Sequence, residues 1–182
     1  MNLSRTVSVL FLFFSLLVGG CGYYFPHVYD GAAKTIYMPN WKNRTSQLGI
    51  DAKIYQSLSR WFQKSNAINL TKNREEADMI FAGEIVNIDL PSVSWDAQSR
   101  TSEAKVVLVV RYILKDIKSD EILWEVPNQP WTEAFSTAGG SSVMTEAEKE
   151  ALEQIITDMS ERIYLGTLDK LRKSARQAQS TN

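Results

Sequence analysis

Three observations predict an α/β fold of the α+β two-layer sandwich type, with a mixed sheet of about four strands and two helices packed on one face. Apolar residues recur at helical spacing over Leu48, Ile54, Leu58, Trp61 and Phe62. They recur again over Leu152, Ile155, Ile156, Met159, Ile163 and Leu168. Between these stretches lies the run from Ala104 to Lys115, whose even positions Ala104, Val106, Leu108, Val110, Tyr112 and Leu114 are all apolar. That is the period-two signature of a strand with one face beneath a helical layer. With the strands lying between the helices, in the order β-α-β-β-β-α, the two helical stripes and the apolar strand face can be buried against one another.

The elements follow in order. Thr35-Ile-Tyr-Met38 reads as a strand stopped by Pro39, because proline cannot donate to a ladder. Asn43, Thr45 and Ser46 offer N-cap oxygens for the first helix, which runs through about residue 64. Ile68 to Leu70 reads as a short strand, separated by the charged turn Lys72 to Glu76 from a longer one, Met79 to Asp89, which contains Gly83. Residues 90–102 are polar and turn-rich and read as a loop carrying Trp95, which is either a contact residue or a packing one. After the strand 104–115 and the turn Lys118 to Glu121, Glu121 to Glu125 reads as an antiparallel partner. Pro127 and Pro130 interrupt it, and the pairing resumes over Trp131 to Thr137. Gly139 to Ser142 reads as a loop, and Thr145-Glu-Ala-Glu148 has the capping-box pattern that opens the last helix. Residues 35–173 thus form a single α/β sandwich domain, followed by a polar tail, 174–182.

The N-terminus has a different composition. Arg5 precedes the apolar run Val7 to Val18, which is too short for a confident membrane span, and Gly19 and Gly20 lead directly into Cys21. This is the pattern of a lipoprotein signal peptide, 1–20, whose removal leaves Cys21 as the lipid attachment site and first residue. A short signal anchor with an incidental cysteine is the alternative. Acyl chains each contribute about 0.8 kcal/mol per buried methylene, so two or more hold a domain stably at a membrane. Gly22, not aspartate, follows the cysteine, which resembles bacterial lipoproteins sorted to the outer membrane. Residues 21–34 then read as a lipidated tether.

Composition excludes several functions. The chain has 20 basic and 21 acidic residues. Loss of residues 1–20 removes only Arg5, leaving 162 residues with 19 basic against 21 acidic, a formal charge of −2. A near-neutral chain without a basic run argues against nucleic acid as a partner. The one cysteine, consumed by lipid, leaves no internal disulfide, no Cys-based zinc site and no Cys nucleophile. His27 is the lone histidine and falls in the tether, where it reads as a surface residue. The carboxylate pairs Glu75-Glu76 and Glu146/Glu148 fall in a turn and at a helix start, where negative charge is favourable without any catalytic role. No catalytic set, metal site or cofactor is expected.

The odd face of the strand 104–115 is the candidate binding surface. It runs Lys105, Val107, Val109, Arg111, Ile113, Lys115, apolar in the middle with cations towards both ends. Lys105, Arg111 and Lys115 there could meet phosphates or a partner's wall, although a solvated face explains the same pattern.

Cys21-Gly-Tyr followed by Phe25, then Ile36-Tyr-Met-Pro39 with Asn43 and Thr45 before a helix, then Ala77-Asp78 leading to Gly83-Glu-Ile85, resemble the LptE family of lipopolysaccharide-assembly lipoproteins. The strand pair ending in Ile122-Leu-Trp124 and the long last helix are similar too, so the resemblance spans the mature chain. It implies a non-catalytic, lipid-anchored protein on the periplasmic side of the outer membrane. Such a protein binds and plugs the LptD barrel, supports its assembly and contacts lipopolysaccharide. The family's lipopolysaccharide-contacting residues lie outside the matching motifs and are not carried over. The competing reading is an envelope adaptor lipoprotein that activates a peptidoglycan synthase. A lipoprotein enzyme is a third class, disfavoured for want of a nucleophile or metal set.

Overall fold

Strand residues that alternate apolar and polar character pair into one mixed sheet, and both amphipathic helices close over the same side of it. The computed structural model describes residue 29 and residues 31–89, 92–95, 101–137 and 141–180. The strands are β1 (Lys34–Tyr37), β2 (Lys42–Asn43), β3 (Ile68–Thr71), β4 (Met79–Asp89), β5 (Ser92–Trp95), β6 (Thr101–Asp116) and β7 (Ile122–Ser136). Helix α1 (Ile50–Phe62) lies between β2 and β3, and α2 (Ser141–Ser180) follows β7. A 3-10 turn, Arg74–Glu76, precedes β4 and is capped by the Asn73 side chain, which accepts from the Glu75 amide.

The sheet runs β3-β1-β4-β6-β5, with β2 added to β4 and β7 to β6. β1 is parallel to both β3 and β4, and β2 is parallel to β4. β6 is antiparallel to all its neighbours. β1 and β2 share one edge of β4, meeting it at Met79–Ile80 and at Glu84–Ile85. β4 and β5 likewise share one edge of β6, while β7 takes the other.

The even face of β6 is sealed, as alternation predicts: Ala104, Val106, Leu108, Val110, Tyr112 and Leu114 are all buried. They share one core with Ile36, Phe81 and Ile85 of the sheet, Ile54, Leu58 and Phe62 of α1, and Ile155, Met159, Ile163 and Leu168 of α2. Phe62 stands edge-on to Phe81 at 5.8 Å, and Trp61 stacks on Tyr164 at 5.8 Å, which ties α1 to the sheet and to α2. Ser160 and Thr167 lie on the buried side of α2 and donate to the Ile156 and Ile163 carbonyls, so neither hydroxyl is left unpaired.

Two glycines let aromatic rings approach the backbone. A Cβ at Gly83 would fall on the ring of Trp41, which packs against both Phe81 and Tyr112. A Cβ at Gly166 would fall on Trp124, which stands edge-on to Tyr112 at 5.0 Å. Both rings are thereby seated in the helix-covered layer, against a strand in one case and a helix in the other.

The sheet has more strands than the four expected, for reasons of context. β2 is two residues long and exists because β4 offers it an open edge. β5 forms within 90–102, read above as a loop, because β6 extends beyond the end of β4 and presents its edge. β7 is continuous through Pro127 and Pro130, with a register shift opposite Val110 and Tyr112. An outer strand tolerates proline because one side of it needs no ladder donors. Helix α2 begins at Ser141, so the capping-box sequence lies inside the helix and not at its start, and the tail from Ser174 stays helical to Ser180.

α1 also begins later than its apolar spacing suggests. Its N-cap is Gly49 at φ 80°, a left-handed conformation that glycine adopts without penalty, and no side chain caps it. The hydroxyl and amide of Asn43 and Thr45 are used instead to close the loop. Asn43 Oδ1 accepts from the Thr45 amide and hydroxyl, and its Nδ2 donates to the Gln47 carbonyl. Leu48, placed above on the helix's apolar stripe, precedes the helix and is 92% exposed. Among the described residues no helix is long and apolar enough to cross a membrane.

Candidate functional site

Because both helices pack on one face, the other face of β4, β6 and β7 is uncovered by them. Alternation brings the odd residues of β6 to it, and register sets their neighbours: Ala82 and Glu125 beside Ile113, Asn87 and Pro130 beside Val109, Asp89 and Thr132 beside Val107. The centre is apolar, with Val107, Val109 and Ile113 half-buried.

Glu84 is the unexpected member. It lies directly across from Arg111, and its side chain is 9% exposed against 50% for the arginine. Arg111 Nε and Nη2 donate to Glu84 Oε2 at 2.9 and 2.5 Å. Arg44, from the loop after β2, pairs with the other carboxylate oxygen. A carboxylate this buried would be costly alone, and two guanidinium groups compensate it. The cluster carries two positive charges and one negative, so it retains a net positive charge. Donors of Arg111 not engaged by Glu84 remain for another acceptor.

The cluster forms part of the wall of a groove of about 400 Å3. Pro39, Asn40 and Lys42 border one side, Arg111 and Ile113 lie in the middle, and Glu125 to Pro127 border the other. That volume falls within the range of ligand clefts, and its mix of apolar walls and a few charged groups suits binding. Tyr112, on the opposite, buried face, has its phenol pushed up to about 12 by burial and stays neutral.

The three cations expected to act here do share the face but are not gathered. They are separated by six and four residues, about 20 and 13 Å along a strand rising roughly 3.3 Å per residue. Lys105 is half-buried and makes no ion pair among the described residues. Arg111 is committed in part to Glu84, and Lys115 Nζ lies 2.5 Å from Asp120 Oδ1. Cys21 and His27 lie outside the described residues, and so does the side chain of Trp95. Among the described residues no group of three or more His, Cys, Asp or Glu could hold a metal ion.

Sequence reasoning missed Glu84 and Arg44. An acidic residue inside an otherwise apolar strand was the available signal, but pairing it with Arg111 needs the β4–β6 register. Arg44 reaches it only through the parallel placement of β2 on β4.

Comparison with known proteins places this geometry in context. Residues 33–165 match the family model LptE, described as lipopolysaccharide-assembly. No curated protein matches the sequence. Among solved structures, a protein from Xanthomonas campestris is similar at a TM-score of 0.60 and 12% identity, covering 82% of this chain and 91% of that one. An uncharacterized lipoprotein B from Nitrosomonas europaea is similar at 0.54 and 16% identity, covering 80% and 89%. At these identities the likeness establishes a shared fold.

Proposed function

The chain belongs to the LptE lipopolysaccharide-assembly family, and from that membership we propose that it is an outer-membrane lipoprotein, anchored through Cys21 on the periplasmic side. There it binds and plugs the LptD barrel, supports its assembly and contacts lipopolysaccharide without catalysing a reaction. The observation that carries this reading is the sheet face left uncovered by the helices. A plug must present apolar area with charge at defined points, and Val107, Val109 and Ile113 beside the Glu84–Arg111–Arg44 cluster supply both. A barrel of many strands encloses a lumen wide enough for such a domain. Lys105, Arg111 and Lys115 are the proposed contacts to lipopolysaccharide phosphates or to the barrel wall. Residues 35–173 act in this reading as one domain on a lipidated tether, 21–34.

Affinity capture of the full-length protein from solubilised outer membrane, with partners identified by mass, tests the proposal. Recovery of a large barrel is expected. Recovery of a peptidoglycan synthase without a barrel would replace this reading with the cell-wall adaptor.

A further inference from the structure

Strand direction fixes which end of the domain faces its N-terminal segment. β1 starts where Lys34 pairs with Ile68, and Ile36 meets Met79, which in turn faces Asp116 at the end of β6. Helix α2 descends towards the same end. Arg162 lies over Trp131, which is level with Leu108 in mid-strand, and Gly166 lies against Trp124, level with Leu114. Among the residues of α2 whose burial is described, Leu171 is the last that is fully buried. The helix then continues to Ser180, about 14 Å further at roughly 1.5 Å per residue.

Residues 169–180 carry Lys170, Arg172, Lys173 and Arg176 against a single acid, Asp169, which pairs with Lys173 at 2.7 Å. The segment's net charge is therefore +3, on a chain whose total is near zero. At about 100° per residue the four cations fall on an arc of roughly 160°, turned away from the side that buries Thr167, Leu168 and Leu171. The acids near the β6–β7 turn at the same end are largely engaged. Asp116 accepts from the Lys118 and Ser119 amides, Asp78 accepts from the Thr35 amide and lies near Lys118, and Asp120 pairs with Lys115; Glu121 stays exposed.

We infer that the basic C-terminal turns of α2 form a second membrane contact, which lays this end of the domain on an anionic phospholipid surface and sets its orientation beside the acyl anchor. The inference rests on the proposed anchoring through Cys21, since the 13 residues from Cys21 to Lys34 keep this end within about 45 Å of the bilayer even when fully extended. A lipid chain limits distance but not rotation, whereas a basic patch on one helix face adds an electrostatic preference. Anionic phospholipid is the matching chemistry because several dispersed cations on a helix face suit a field of headgroups better than one bound anion.

The test uses the full lipidated protein in vesicles. Its only native cysteine is Cys21, so a fluorophore can be attached selectively at Gln177→Cys, beside the patch, or at Ser46→Cys, in the loop that leads into the opposite end of α1. Quenching by headgroup-labelled lipid is then compared between phosphatidylcholine vesicles and vesicles containing phosphatidylglycerol. Quenching at position 177 should exceed that at 46 by at least about threefold only when phosphatidylglycerol is present, and the difference should collapse at high salt. The Lys170→Gln, Lys173→Gln, Arg176→Gln variant should abolish it. Equal quenching at both positions, or a difference indifferent to phosphatidylglycerol and salt, would overturn the inference. Failure to bind phosphatidylcholine vesicles would instead refute the anchor, and phosphatidylglycerol-dependent quenching would still decide the patch.

Discussion

Replacing Gly166 by alanine sets two opposed effects against each other. In a helix interior, alanine is favoured over glycine by about 1 kcal/mol. Here the new methyl would fall on Cη2 of Trp124 and lie 2.8 Å from Cζ3. Trp124 has little freedom to retreat, because it also stands edge-on to Tyr112, itself 5% exposed. Overpacking of this kind costs about 1–3 kcal/mol. The clash should win, so Gly166→Ala is expected to destabilise the domain by about 1 kcal/mol where helix propensity alone would stabilise it by as much. For a chain of this size that is a fall of about 2–4 °C in Tm. Denaturant unfolding of four proteins, the parent, Gly166→Ala, Trp124→Leu and the double variant, separates the terms. With the ring gone, the same glycine-to-alanine change should become stabilising. If Gly166→Ala raises stability with Trp124 in place, the helix does not approach the sheet as closely as described, and the seating of α2 on β7 is wrong.

Other outcomes test the remaining parts of the argument. Leu108→Asp should unfold the domain, since Leu108 is 0% exposed and an unpaired charge there has no partner; a soluble, cooperatively folding variant would reverse the assignment of faces. For Asp116, burial raises the carboxyl's pKa, but the Ser119 and Lys118 amides, the Ser119 hydroxyl and the Lys34 charge outweigh it and hold it below the usual 3.8. A depressed folded pKa means that its stabilisation is present above about pH 4 and is lost as pH falls through the folded value. Unfolding curves of Asp116→Asn should therefore show less acid sensitivity in that window than those of the parent. Mass analysis of the mature protein should find Cys21 at the N-terminus carrying acyl chains, and an uncleaved chain with a free thiol would exclude the anchor. Changing Lys105, Arg111 and Lys115 together to serine should weaken lipopolysaccharide binding in a salt-sensitive way; unchanged binding at low salt would make this a solvated face.

The fold class was legible because it follows from periodicity. A strand that is apolar at every second residue and two stripes at helical spacing leave few ways to bury all three, and the core of Leu108, Ile54 and Met159 is the outcome. The single cysteine, the apolar leader and the motif order that pointed to the family are likewise properties of the chain alone. Tertiary structure decided whatever depends on register and on neighbours distant in sequence. β2 and β5 are strands because β4 and β6 offer edges to them, and Pro127 and Pro130 are tolerated because β7 is paired on one side. Capping also escaped local reading, since the oxygens near α1 bond within their own loop and Gly49 takes the helix start. The cross-strand pairing of Glu84 with Arg111, and the arrival of Arg44 from the loop after β2, required the sheet to be assembled first. Side-chain alternation is local and can be read from the chain, whereas charge pairing across strands depends on a register that the chain fixes only by folding.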